Sequence, residues 1–178
     1  MSGEPTRVER WMYALAERAE GDARARRVRG ALMNGMFRAI AAERRRGGRR
    51  LLDLARGSSV RWGRWRAHRL RERLHIDVND MSDMGRLQDW EDRAFGVTGH
   101  WTERGKARAV KCETGCPFAK VASTAPEICT EVVHALEEAT FRELNPEYRL
   151  LPLERLLSKG ESACEFVHVL GDDAEGHP

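Results

Sequence analysis

The residues best suited to chemistry in this chain are its four cysteines, Cys112, Cys116, Cys129 and Cys164. Two of them lie in the run Lys111-Cys112-Glu113-Thr114-Gly115-Cys116-Pro117-Phe118-Ala119, where an expected strand hands over to an expected helix. The gap between Cys112 and Cys116 is within the usual range for a zinc knuckle, yet no paired C-x2-C or H-x3-H follows to complete one. Ferredoxin spacings are missing as well, although the number of sulfurs admits an iron–sulfur cluster. The other chemistry open to these residues is nucleophilic. Cys116 precedes a proline, which should hold its sulfur in a turn, and a helix start beside it would lower its pKa. Cys129, next to Ile128, reads equally well as a small core residue.

No histidine completes a catalytic pair by spacing alone. His134 lies about 140° around a helix from Cys129. His168 shares a strand face with Cys164 but stands about 13 Å along it. His100 could approach only across a sheet. A Cys–His pair therefore depends on tertiary contact, with His168 as the expected proton carrier. Glu113, Glu127 and Glu165 lie close by in sequence and read as surface charge.

The elements that must position these residues follow from periodicity and breakers. Thr6 and Glu9 have capping-box spacing, followed by Val8, Trp11, Met12, Leu15 and Ala19 on one helical face. After Gly21-Asp22 a second helix is expected over 23–45, with Val28, Leu32, Met36, Ala39 and Ile40 as its apolar stripe. Gly47-Gly48 ends it, and Gly57-Ser58-Ser59 predicts a further break. A helix over 60–75 then sets Trp62 and Trp65 among arginines. Asp80 caps another helix, which carries Met84, Leu87, Trp90 and Ala94 and stops at Gly96.

Beyond Gly96 the pattern changes to strands. Residues 97–103 and 107–112 form an expected hairpin around Arg104-Gly105-Lys106. A helix should run from Thr124 to Asn145-Pro146. Strands follow at 148–153, placed at an edge by Pro152, and at 162–170, apolar on both faces and so central. The tail from Gly171 is acidic and reads as loose. The fold class is α+β: a helical, basic region over residues 1–95, then a small antiparallel sheet covered by a helix over 96–178, forming one integrated domain.

Charge is uneven. Residues 24–73 hold 17 Arg and 3 acidic side chains, whereas residues 76–178 hold 11 Lys plus Arg against 20 Asp plus Glu. Arginine interleaved with tryptophan can stack on bases, but no nucleic-acid motif accompanies it. The preferred reading is amphipathic helices whose arginine stems lie over apolar surface, and nucleic acid is the less favoured partner. Apolar helix faces in the first 95 residues suggest a homodimer interface. No apolar run is long enough to span a bilayer, and Met1-Ser2-Gly3-Glu4-Pro5 lacks a signal-peptide pattern. The expected location is cytoplasmic and reducing, where cysteines serve as free thiols, metal ligands or catalysts.

Cys116-Pro117-Phe118-Ala119, Glu127-Ile128-Cys129, Asn145-Pro146, Lys159-Gly160 and Cys164-Glu165-Phe166 together resemble the L-2-amino-thiazoline-4-carboxylic acid hydrolase-like family. More distantly, the chain is similar to vinyl-reductase-type small-molecule-binding domains, among which cysteine-bound metal is known. The resemblance spans residues 80–170 and leaves the Arg/Trp helices unexplained. It implies a cysteine-dependent hydrolase acting on a sulfur- or nitrogen-containing, thiazoline-like small molecule. Cys116, Cys129 and Cys164 fall on family cysteines, and Cys112 is an addition. In this reading Cys116 is the nucleophile, Cys129 and Cys164 line the pocket, and no cofactor is needed. The alternative is a metal-binding protein in which Cys116, Cys129 and Cys164, with or without Cys112, hold zinc or an iron–sulfur cluster. The first reading predicts that Cys116→Ala abolishes turnover while circular dichroism shows an intact fold. Full activity in that variant would remove the assignment.

Overall fold

Breakers and caps divide the first half of the chain into helices. In the computed structural model, which describes residues 6–171, α1 spans Arg7–Gly21 and α2 spans Ala23–Arg45. Asp22 separates them, its carboxylate accepting from the Arg24 backbone N–H at 2.7 Å. Residues 1–5, the acidic tail beyond 171 and the side chain of Glu9 lie outside the described residues, and with them the expected capping box. Helix α3 spans Arg50–Leu74. Helix α4 spans Met81–Phe95, capped by Asp80 on the Ser82 N–H at 2.9 Å and closed by Gly96 at φ +75°.

The break expected at Gly57-Ser58-Ser59 is absent, because α3 runs through it without interruption. A glycine inside a helix costs only about 1 kcal/mol relative to alanine, which packing can offset. The same helix uses another small residue to advantage. A Cβ added at Gly63 would stand 2.8 Å from the Leu136 carbonyl and 3.0 Å from Thr140 Oγ1, so α3 meets its neighbour at backbone distance.

The second half supplies β1 (Thr98–Arg104), β2 (Arg108–Gly115), β3 (Tyr148–Leu150) and β4 (Cys164–Leu170), in the antiparallel order β1-β2-β4-β3. β4 is internal and β3 lies at an edge, as its proline suggested; β3 ends before Pro152. β2 continues to Gly115, so Cys112 lies in the body of the strand and not at its end. Between β2 and β3 come the single turn α5 (Ala119–Ala122), a π-helical stretch over Ile128–Val133 and α6 (His134–Leu144). The continuous helix expected from Thr124 thus begins later and starts in wider, π-helical form. It ends at Asn145, before Pro146, as expected.

Both α4 and α6 pack on the sheet, where the sequence suggested one covering helix. One core runs from Ala16, Trp62, Leu70 and Trp90 to Phe141, Tyr148, Cys164 and Phe166, crossing the 95/96 boundary. A second joins Phe37, Ile40 and Leu52 to Phe118 and Ile128. The stripe expected on α2 is rotated: Ala25, Arg29, Phe37, Ile40 and Ala41 face inward, while Val28, Leu32 and Met36 stay exposed. In α1, Ala16 and Ala19 are buried and Val8 and Trp11 exposed. Helix α2 turns a second residue class inward because Arg29 lays its guanidinium 3.4 Å over the Phe95 ring.

Since α3 and α6 touch through Gly63, Gly63→Val forces the helices apart. Equilibrium chemical denaturation should show a loss of about 1–3 kcal/mol. An unchanged midpoint would show that this close approach is not needed for stability.

Candidate functional site

Strand register places the first two groups of the site. Glu113 of β2 and Cys164 of β4 are direct cross-strand partners, so their side chains emerge together on the face covered by α4 and α6. Cys116 follows in the loop after β2, and Cys129 comes from the π-helical stretch. These four residues line a cavity of about 350 Å³. Its remaining wall is overwhelmingly apolar, with Phe37, Phe95, Phe118, Ile128, Leu156 and Phe166 among the residues that form it. Val8, Leu32 and Met36, exposed on α1 and α2, also border it, which gives the cavity an apolar rim.

The electrostatics of this wall disfavour a thiolate. Burial pushes the Cys116 thiol up to about 11, and the neighbouring Glu113 and Cys129 add to the effect against backbone N–H groups that oppose it. Burial likewise raises Cys164 to about 12, although the Leu157 N–H donates to its Sγ at 3.3 Å. Cys129 is raised too, by burial first, with Ser158 opposing. The expected activation of Cys116 by a helix start is overturned. α5 is only one turn long, and desolvation outweighs its N–H groups.

Glu113, read in the sequence as surface charge, is instead a buried member of the site. Burial and then the Asp92 carboxylate raise it to about 8, against a hydrogen bond donated by Gln88 Nε2 to its Oε1 at 3.1 Å. Its charge acts on Cys116, Cys129 and Cys164 alike. Three further acids share the cavity wall: Glu91 and Asp92 from α4 and Glu137 from α6. Asp92 is raised by burial to about 6 while Lys111 Nζ approaches its Oδ2 at 3.0 Å. The same ammonium holds Asp89 Oδ1 at 2.6 Å, and Trp101 Nε1 donates to that oxygen at 2.8 Å. Glu91 is ion-paired with Arg66. Glu137 is buried and raised well above the usual carboxylate range, by burial first and then by the charge and hydrogen bond of Glu91.

His168 does not join the cysteines. It shares their sheet face, as expected, but is enclosed by Trp101, Phe141, Tyr148 and Phe166, with its Nδ1 2.8 Å from the Tyr148 hydroxyl. Burial drives its pKa down to about 3, with Lys111 contributing in the same direction. A ring neutral throughout the physiological range and absent from the cavity wall is not placed to carry protons there. His134 faces Glu138 at 3.7 Å on α6, and His100 is exposed on β1. Glu127 and Glu165 are surface partners of Arg44 and Arg155.

Cys112 points to the opposite sheet face, paired in register with His100 and Glu165, and does not line the cavity. Among the described residues no three His, Cys, Asp or Glu side chains are grouped so as to hold a metal ion. No helix among the described residues is long and apolar enough to cross a membrane. Comparison with protein-family models, with curated proteins and with solved structures finds no significant match to this chain.

The sequence reading thus found the cavity's sulfurs and missed the burial of its acids. A signal for the acids was present. Ala109, Lys111 and Glu113 alternate onto one face of β2, and α4 carries Gln88, Glu91 and Asp92 beside the apolar Met84, Leu87 and Trp90 that it buries. Charges on a face that should be buried imply mutual pairing.

The thiol electrostatics predict slow, steeply pH-dependent alkylation at Cys116. Its iodoacetamide rate, read by peptide mass spectrometry, should still climb about tenfold per unit between about pH 8 and 10. A rate already level near neutrality would mean an activated thiolate.

Proposed function

We propose that this chain binds a small, mostly apolar molecule in the cavity and acts on it in the manner of a thiazoline hydrolase-like enzyme. One observation carries the reading: Glu113, titrating at about 8, stands with three cysteines on the wall of an otherwise apolar cavity. A carboxyl with a pKa near the working pH can both give and take a proton, which histidine often does elsewhere. Glu113 is therefore the proton carrier in this proposal, in place of His168.

Cys116 remains the candidate nucleophile on one condition. Because its thiol is neutral, it must surrender its proton as the new bond forms. Ionised Glu113 would take that proton while Sγ bonds to an electrophilic carbon. The carboxyl so formed would then protonate a departing ring nitrogen. Water would release the product from sulfur with the same acid–base group. Cys129 and Cys164 complete the wall and keep the site dry, which is the condition that holds Glu113 near neutrality. The arginine-rich helices act here as packing surface: Arg66 is fully buried against Glu91 and Thr140, and Arg29 lies against Phe95. This supports the amphipathic reading of those helices and adds nothing toward a nucleic-acid partner.

The test is hydrolysis of 2-amino-thiazoline, the ring without a carboxylate, followed as ring opening. Glu113→Gln, which keeps the shape of the side chain, should lower turnover about a hundredfold. Cys112→Ser should leave it unchanged, since that residue lies on the other face of the sheet. Wild-type turnover in Glu113→Gln would remove the proposed proton carrier.

A further inference from the structure

The acids on the cavity wall form two neighbouring couples, and each couple has one member already held by a cation. Asp92 faces Lys111 and Glu91 faces Arg66, leaving Glu113 and Glu137 without a cationic partner of their own. Glu113 at least receives a hydrogen bond from Gln88. Glu137 has less: its residue is 6% exposed, it lines the cavity, and its side-chain hydrogen bond is to another acid, Glu91, with which it shares a single proton. A second wall residue lacks a partner: Trp62, 9% exposed, carries an unpartnered indole N–H. Buried polar atoms are nearly always satisfied in native proteins. An acid pair with more oxygens than donors and an unpartnered indole N–H, on the wall of one cavity, point to a ligand that supplies what they lack.

We propose that the cavity selects a molecule with a basic nitrogen, an amine or amidine on an apolar body, whose nitrogen docks at Glu137 beside Glu91. The chemistry follows from the wall. A protonated nitrogen offers donors to Glu137 Oε2 and favours its ionised form against the burial that opposes it, and in a dry site such a charge-assisted bond is strong. The apolar body fills the space bounded by Phe37, Phe95 and Phe118. The rim of Val8, Leu32 and Met36 gives it an apolar entrance. An anion is the wrong complement for this wall. Arg29, whose nitrogens also lack partners, lies against Phe95 and is not among the residues that line the cavity. The Trp62 N–H would take an acceptor on the same ligand. This inference rests on the reading of the cavity as a ligand site and names the class of molecule that enters it.

Three probes of equal length decide it: hexylamine, hexanol and hexanoate, each titrated calorimetrically into the full chain near neutral pH. Hexylamine should bind about tenfold more tightly than hexanol, with hexanoate weakest. Glu137→Gln should bring hexylamine to within about threefold of hexanol and leave hexanol binding unchanged, which also certifies the fold. If that variant loses hexanol as well, Glu137→Asp, which keeps the acid but withdraws it by one methylene, must weaken hexylamine alone. Equal binding of amine and alcohol, tighter hexanoate, or an amine preference that survives both variants would overturn the inference and leave the cavity as a ligand site. Failure of all three probes to bind would overturn the inference together with the ligand-site reading on which it rests.

Discussion

Arg66 is the interaction on which the cavity depends. Its guanidinium is fully buried, donates to Thr140 Oγ1 from Nε at 3.1 Å and from Nη2 at 2.9 Å, and is ion-paired with Glu91. Three helices therefore meet at one cation: α3 provides it, α4 the carboxylate and α6 the hydroxyl. Thr140 Oγ1 in turn donates to the Leu136 carbonyl at 2.7 Å, and Leu136 is the residue whose backbone Gly63 lies against. Desolvating a charge costs several kcal/mol unless it is paired, so removing any one partner leaves the others buried and uncompensated. That constraint fixes the spacing of α3, α4 and α6, and so the walls behind Glu91 and Glu137.

Lys111 plays the corresponding part at the sheet. It ties β2 to α4 through Asp89 and Asp92 and packs 4.8 Å from the centre of the Trp101 ring. With one cation per side, the wall has more carboxyls than cations. The excess is what makes the cavity chemically distinctive. In water those acids would all ionise; in this enclosure burial and mutual repulsion raise Glu113 to about 8 and push Glu137 in the same direction. The same enclosure keeps the thiols neutral. One physical cause, exclusion of water by an apolar shell, thus turns the carboxyls into proton carriers and the sulfurs into reluctant nucleophiles.

The outer surface of the helices is a separate matter. Val8, Trp11, Val28, Leu32, Met36, Leu51 and Leu54 are exposed, and several of them border the cavity entrance. An apolar rim suits the entry of an apolar molecule. The basic face of α2 and α3 is reduced by the arginines turned inward and by ion pairs such as Arg44 with Glu127 and Arg49 with Glu131.

Sequence by itself determined what local rules control. The bounds of α2 followed from Asp22 and Gly47, those of α4 from Asp80 and Gly96, and the end of α6 from Pro146. The central place of β4 followed from its two apolar faces, and the gathering of Cys116, Cys129 and Cys164 in one region from their elements. What it misjudged depended on partners distant in the chain. Gly57-Ser58-Ser59 stayed helical because packing outweighs propensity. His168 went to an aromatic enclosure because four residues along a strand is too far from Cys164. Glu113 turned inward because strand register set it opposite Cys164 and under Gln88. The ionisation of every group in the cavity was beyond the sequence. A pKa is set by how much water is excluded and which charges stand near, and only the packed helices and sheet decide either.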